Sequence, residues 1–267
     1  MSEFEKLRVV TGYEFLKHIR RRRLYIILGL TILVEAAVLI AVPLLLEEGY
    51  PDNVMVMAAM LSIGPSLATI GAVFFAGDAI AGEFESKTGF ILFTNPVRRI
   101  TLVTGKYLAG LAAVAMLIVL GYIIVSISLL VIYGTVPVET AKSFGLCLLY
   151  GGSVLSITFF FSSISKGSMG ATVITLVFIM VISSVIDGIL IMADAPHWFM
   201  ISTNGDSIAT VYGGYELFLE GLPMGGTHMP DRWFQSPDIN LMIVSMVIYL
   251  VAGFALSLWI GRRRQLS

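Results

Sequence analysis

Long apolar runs dominate the chain, separated by short polar stretches. Six of them reach the roughly 20 residues a membrane-spanning helix needs: 24–46, 54–81, 103–133, 143–165, 168–193 and 239–260. Lipid offers no partner to backbone N–H and C=O groups, so these runs must close their hydrogen bonds internally, as helices. The alternation of a barrel strand is absent. The predicted fold class is therefore all-α and polytopic: one transmembrane domain over 1–267 with six transmembrane helices. Pro65, following Gly64, predicts a kink in the second span. Gly151 and Gly152 in the fourth span allow close helix approach, as do Gly105, Ala109, Ala112 and Ala113 in the third.

Two shorter patterns fall outside the spans. Residues 3–23 carry Val9, Tyr13, Leu16 and Ile19 at helical spacing among charged neighbours. They predict an interfacial helix, held to anionic lipid by its basic cluster. Residues 194–238, between the last two spans, carry Ile208, Val211, Tyr212, Tyr215, Phe218 and Leu219 at helical spacing. Asp206 can cap the start of that helix, and Gly221 and Pro223 can stop it. A short amphipathic helix near the outer surface is expected, as a gate or as a lid on the outer leaflet. Trp198 and Trp233 are its expected interfacial anchors.

Composition supports the membrane reading: 57% of residues are hydrophobic, 13% are charged, and the mean hydropathy is +0.90. The distribution of charge adds a direction. Fifteen of the 17 basic residues lie on one set of span ends, leaving Lys142 and Arg232 on the other. Basic residues favour cytoplasmic loops, so a multi-pass cell-membrane protein with both termini in the cytoplasm is expected. Arg20–Arg23 precede the first span, whose apolar stretch is too long for the h-region of a signal peptide. It reads as an uncleaved span.

The chemistry available to the chain is narrow. Cys147 is the single cysteine, and His18, His197 and His228 are scattered outside the spans. There is no H-E-x-x-H and no G-x-x-x-x-G-K-(S/T) loop, which argues against an intramembrane zinc protease and against ATP binding by that route. Two carboxylates fall inside spans. Glu35 sits at the centre of the first, where a charge costs about 2.5–3.5 kcal/mol on insertion scales. A structural partner on a neighbouring span and a place on a translocation pathway are both open for it. Asp187, in the outer part of the fifth span, either lines the pathway or faces the outer interface.

The stretch GDAIAGEFESKTGFILFTNPVRR, from Gly77 to Arg99, joins spans two and three. Glu83 precedes Lys87 by four residues, a favourable helical pair. Gly89 interrupts the pattern, Phe90 to Phe93 form an apolar patch, and Pro96 suits the first turn of a new helix. Arg98, Arg99 and Lys106 flank the third span. An apolar patch on such a loop must meet lipid headgroups, the rest of the protein, or a partner.

The order of residue types from Asp78 to Gly110 resembles the ABC-2-type transporter permeases: D-x-I-A-G-E-x-E-x-K-T-G, an apolar stretch, T-N-P-V-x-R, then G-K-x-L-A-G. The six-span layout and basic amino-terminal helix extend the resemblance more loosely over the chain. The resemblance implies a cytoplasmic coupling hairpin over 82–102, whose short helix docks on a separate ATP-binding cassette ATPase subunit. It assigns ATPase coupling to Glu83, Glu85, Lys87, Phe90, Leu92, Phe93, Pro96 and Arg98. Phe84, Ser86 and Phe90 depart from commoner members.

The resemblance also implies that two permease chains, identical or paralogous, pair with two ATPases in membrane lipid; no nucleic-acid partner is expected. No catalytic residue, metal or cofactor is expected in this chain; ATP and Mg belong on the partner ATPase. The leading reading is a transmembrane permease subunit of an exporter. A six-span anchor or regulatory subunit for a cytoplasmic ATPase is the alternative. Apolar spans favour lipids, amphipathic peptides or drugs over ions or sugars as cargo.

Overall fold

The computed structural model describes residues 2–46, 49–85, 98–213 and 238–263. Helix α1 spans Glu3–Arg20 and α2 spans Arg22–Leu45. The helices α3 (Val54–Met60), α4 (Gly64–Ala76) and α5 (Ala81–Glu85) follow, then the long α6 (Arg99–Tyr133) and α7 (Val138–Ile164). Next come α8 (Ser168–Leu176), a π-helical segment (Val177–Ser183) and α9 (Ser184–Met192), in direct succession. The short α10 (Ile201–Asp206) continues into a 3-10 segment (Ser207–Tyr212), and α11 (Ile239–Arg263) is the last helix described. There is no strand among the described residues.

Among the described residues, six segments are long and apolar enough to cross a membrane: Arg22–Leu45, Val54–Glu83, Arg99–Tyr133, Val138–Ile164, Ser168–Met192 and Ile239–Gly261. Span four is the central column. Its most apolar stretch is 61% buried inside the protein, against 17% for span one, which therefore packs at the periphery. Span four touches α4, α6 and α11. The glycines predicted to permit this do so. A Cβ on Gly151 would lie 3.0 Å from Val114 Cγ1, and one on Gly152 would lie 3.0 Å from Leu250 Cδ1.

Serines make span four an adhesive as well as a spacer. Ser153 donates to the Met246 carbonyl at 2.7 Å, and Tyr107 and Ser156 share a 2.9 Å hydrogen bond. Ser162 accepts from the Ile80 and Ala81 amides and donates to the Gly77 carbonyl. It thus satisfies the backbone of the turn joining α4 to α5, whose groups would otherwise be buried without partners.

The second span is broken rather than merely bent. Proline at position 65 has no amide hydrogen, and its ring would crowd the carbonyl four residues earlier. The helix accordingly stops at Met60 and restarts at Gly64. Gly64 is needed on packing grounds too: a Cβ there would sit 2.7 Å from the Tyr122 ring.

Residues 201–212 correct the sequence expectation. They form no surface helix begun by Asp206. Asp206 is instead the last residue of α10, and the segment is driven into the bundle: Ile201, Asn204, Ile208 and Tyr212 are buried. The physical reason is that its polar residues find partners inside. Ser202 and Thr203 donate to Asp187, the latter at 2.6 Å, and Asn204 donates to Ser245 at 2.8 Å. Tyr215, Phe218, Leu219, Gly221, Pro223 and Trp233 lie outside the described residues.

Candidate coupling site

Helix α1 begins with a reciprocal capping box. Ser2 Oγ accepts from the Glu5 amide at 3.2 Å, and Glu5 accepts from the Ser2 amide at 2.7 Å. The helix then lies along the start of α6. Gly105 is what lets it approach: a Cβ there would fall 2.6 Å from Val10 Cγ1. Thr101 donates to Glu3 at 3.0 Å, fixing the first turn of each helix against the other. The predicted apolar face stays outward, with Tyr13 72% exposed. The opposite face, bearing Val10, Glu14 and His18, is the one that meets the bundle.

Lys106 occupies the middle of this contact. Its side chain is 7% exposed, and its Nζ donates to Glu14 Oε1 at 2.7 Å and Glu83 Oε1 at 2.8 Å. Lys17 lies 3.5 Å from Glu14 and 3.9 Å from Glu83. One buried ammonium therefore ties α1, α5 and span three together. Burial works to raise the Glu14 carboxyl, but the charge and hydrogen bond of Lys106 outweigh it and hold Glu14 below the ordinary value.

A second contact adds span one. Asp78, at the α4–α5 turn, accepts from Arg21 and lies 3.4 Å from Arg23. Arg21 is the hinge between α1 and α2, with extended backbone. Next to it, His18 is buried edge-on against Phe75, ring centroids 5.3 Å apart. Burial, and then the neighbouring Arg21 charge, push this imidazole down to about 4, so it is neutral near pH 7.

Glu85 reaches span five, where it accepts from the Ser168 amide at 2.8 Å and from the Ser168 hydroxyl. Ser168 is the first residue of α8, so Glu85 caps that helix from another segment. These hydrogen bonds, side chain first and then backbone, hold the Glu85 carboxyl below its ordinary value. Arg98 is the residue from which α6 starts, and it is exposed. Glu83, Glu85 and Arg98 thus share one end of the bundle. Lys87, Phe90, Leu92, Phe93 and Pro96 lie outside the described residues.

The two intramembrane carboxylates are not brought together with this cluster. Glu35 is 1% exposed, and neither of its oxygens has a hydrogen-bond partner. It faces span three, 3.9 Å from where a Cβ on Gly121 would be. Asp187 is 8% exposed and bonded to Ser202 and Thr203 of α10, the re-entrant helix that turns back into the bundle.

Sequence reasoning missed the partners of Lys106, His18 and Asp78. A usable signal was present for the first. A lysine two turns inside an apolar helix needs acids, and α1 and α5 each supply one. Among the described residues no cluster of His, Cys, Asp and Glu is suited to a metal ion. Charge pairs and a cap bind α1, α2, α5, α6 and α8 together at this end of the bundle.

A search of curated proteins found no match to the chain. The family model for the ABC-2 family transporter protein matches residues 12–182. That interval runs from the outward face of α1 through the paired acids, Lys106 and most of span five. With six helices able to cross a membrane and this match over more than half its length, the chain belongs to the ABC-2 transporter family, as a multi-pass membrane permease component.

Proposed function

We propose that the chain is the permease half of an exporter, that two copies or two paralogues form the pathway, and that an ATPase subunit grips the α1 end of each from the cytoplasm. Membership of the ABC-2 family supports partnership with an ATPase in general. The observation that carries the finer reading is the Lys106 cluster, which ties α1, the start of the hairpin and span three together. Force applied there by ATP-driven closure would travel directly into spans one, two, three and five. The basic residues on this end support its cytoplasmic placement in the cell membrane.

In this reading Phe90, Leu92 and Phe93 supply apolar anchors in a groove of the ATPase, since a few buried anchors carry most of an interface's energy. Lys87, Pro96 and Arg98 orient the hairpin, while Glu83 and Glu85 hold its base to the bundle. ATP and Mg reside on the partner. Glu35 and Asp187 are proposed as intramembrane elements of the moving pathway, Asp187 through its hold on the re-entrant helix.

Mild-detergent purification tests the reading. Phe90→Ala with Phe93→Ala should leave the chain inserted yet cost it the ATPase, or leave the ATPase bound but cost transport. A double variant that keeps both partner and transport-coupled ATP hydrolysis would refute the docking assignment.

A further inference from the structure

Beside the re-entrant helix lies a cavity of about 200 Å³, remote from the coupling cluster. Three local irregularities shape it. The break in span two places Pro65 at its wall, and the π-helical segment of span five contributes Ile179 and Met180. Gly205 allows α10 to close against Tyr150, since a Cβ there would fall 2.8 Å from the Tyr150 hydroxyl.

The hydrogen-bond inventory of the walls leans toward acceptors, although the Ser66 and Ser184 hydroxyls keep a proton to rotate away. Thr69 donates to the Pro65 carbonyl at 3.0 Å, so in its 3.1 Å contact with Tyr150 the phenol is the donor. Ser202 spends its proton on Asp187. These hydroxyls keep only lone pairs to offer a ligand. The Asp206 carboxylate is an acceptor alone, and its side chain makes no hydrogen bond or ion pair with the described residues. Lys, Arg and His are missing from the lining among the described residues. Asp206 keeps contact with solvent, yet partial withdrawal from water, and then the nearby charge of Asp187, raise its carboxyl above the ordinary value; a bound cation would offset both.

We propose that this cavity binds a primary ammonium group, seated between Asp206 and the oxygens of Thr69 and Tyr150, with the ligand's carbon atoms against Ile179 and Met180. An ammonium brings three donors and no acceptor, the complement of this wall. A cavity of about 150 Å³ holds benzene, so this one suits a group of about six to eight non-hydrogen atoms. An aminophospholipid headgroup and a free small amine share that chemistry. The site stands on its own geometry, whether its occupant is cargo or resident.

The test uses the full chain in nanodiscs without an ATPase, so its failure leaves the transporter reading untouched. One arm compares retention of phosphatidylethanolamine and phosphatidylglycerol by native mass spectrometry. The other titrates ethanolamine, and its neutral analogue ethylene glycol, into phosphatidylglycerol nanodiscs. Wild type should retain phosphatidylethanolamine, or bind ethanolamine at least about tenfold more tightly than ethylene glycol. The first result identifies the headgroup as the source and the second a free amine.

Asp206→Asn should weaken that binding at least about tenfold, and Asp206→Glu should restore part of it. Ser184→Leu, which fills the cavity from span five, should abolish it while the chain stays folded by its thermal transition. Equal binding of ethylene glycol, no binding in either arm, or full binding by both Asp206→Asn and Ser184→Leu would overturn the proposal.

Discussion

Lys106→Met removes the ammonium at the joint while keeping the length and apolar stem of the side chain. Glu14 and Glu83 would then face each other with side chains only 19% and 16% exposed. Stripping one partner from a buried charge group costs about 3–5 kcal/mol, because the remaining charge is left uncompensated. Lys17 remains within 3.9 Å of both acids and softens the loss, which places the expected cost near the lower figure of about 3 kcal/mol. At about 1.4 kcal/mol per factor of ten, undocked α1 should become about two orders of magnitude more populated.

A Val10→Cys reporter reads this, because position 10 is half-buried against Gly105 and its thiol gains exposure when α1 lifts. Labelling should accelerate by up to about the same factor, provided opening and closing are fast compared with the reagent. Adding Glu14→Gln and Glu83→Gln to Lys106→Met should recover most of the protection, since removing a whole charge group is far less costly than breaking one. Gly105→Val should mimic Lys106→Met by a purely steric route. A change of less than about threefold in Lys106→Met, which corresponds to under 1 kcal/mol, would mean that the ion cluster does not hold α1 down.

Acid should loosen the same joint through His18: its ring titrates at about 4 when buried against an ordinary 6.5, so the undocked form binds more protons between those values. Docking is then at full strength above about pH 6.5 and weakens as the pH falls toward 4, by about 3 kcal/mol in total, and His18→Phe should flatten this part of the Val10→Cys labelling profile. Glu35→Leu removes two buried oxygens that lack partners, so thermal stability should hold or rise by about 1–3 kcal/mol while transport falls. Unchanged transport in that variant would take Glu35 out of the pathway.

The spans were legible because lipid imposes a single answer on a long apolar run, and their observed limits lie close to those read from hydropathy alone. The break at Pro65 and the close approach at Gly151 and Gly152 were legible for the same kind of reason: missing atoms have local consequences. Contacts between distant segments were not. Nothing near Lys106 in sequence marks Glu14 as its partner, 92 positions away.

The re-entrant helix was misread because Ser202, Thr203 and Asn204 look like solvent-facing residues. Their partners, Asp187 and Ser245, come from two other helices. The π-helical segment of span five carries no proline or glycine to announce it.

Photo-crosslinking in intact cells tests most directly whether an ATPase grips the α1 end. A photo-reactive side chain placed at Tyr13, which is 72% exposed beside the coupling cluster, should capture a nucleotide-binding ATPase subunit. The same chemistry at Val138, 65% exposed at the opposite end of the bundle, should capture none. ATPase captured from Val138 but not from Tyr13 would contradict both the orientation and the coupling role.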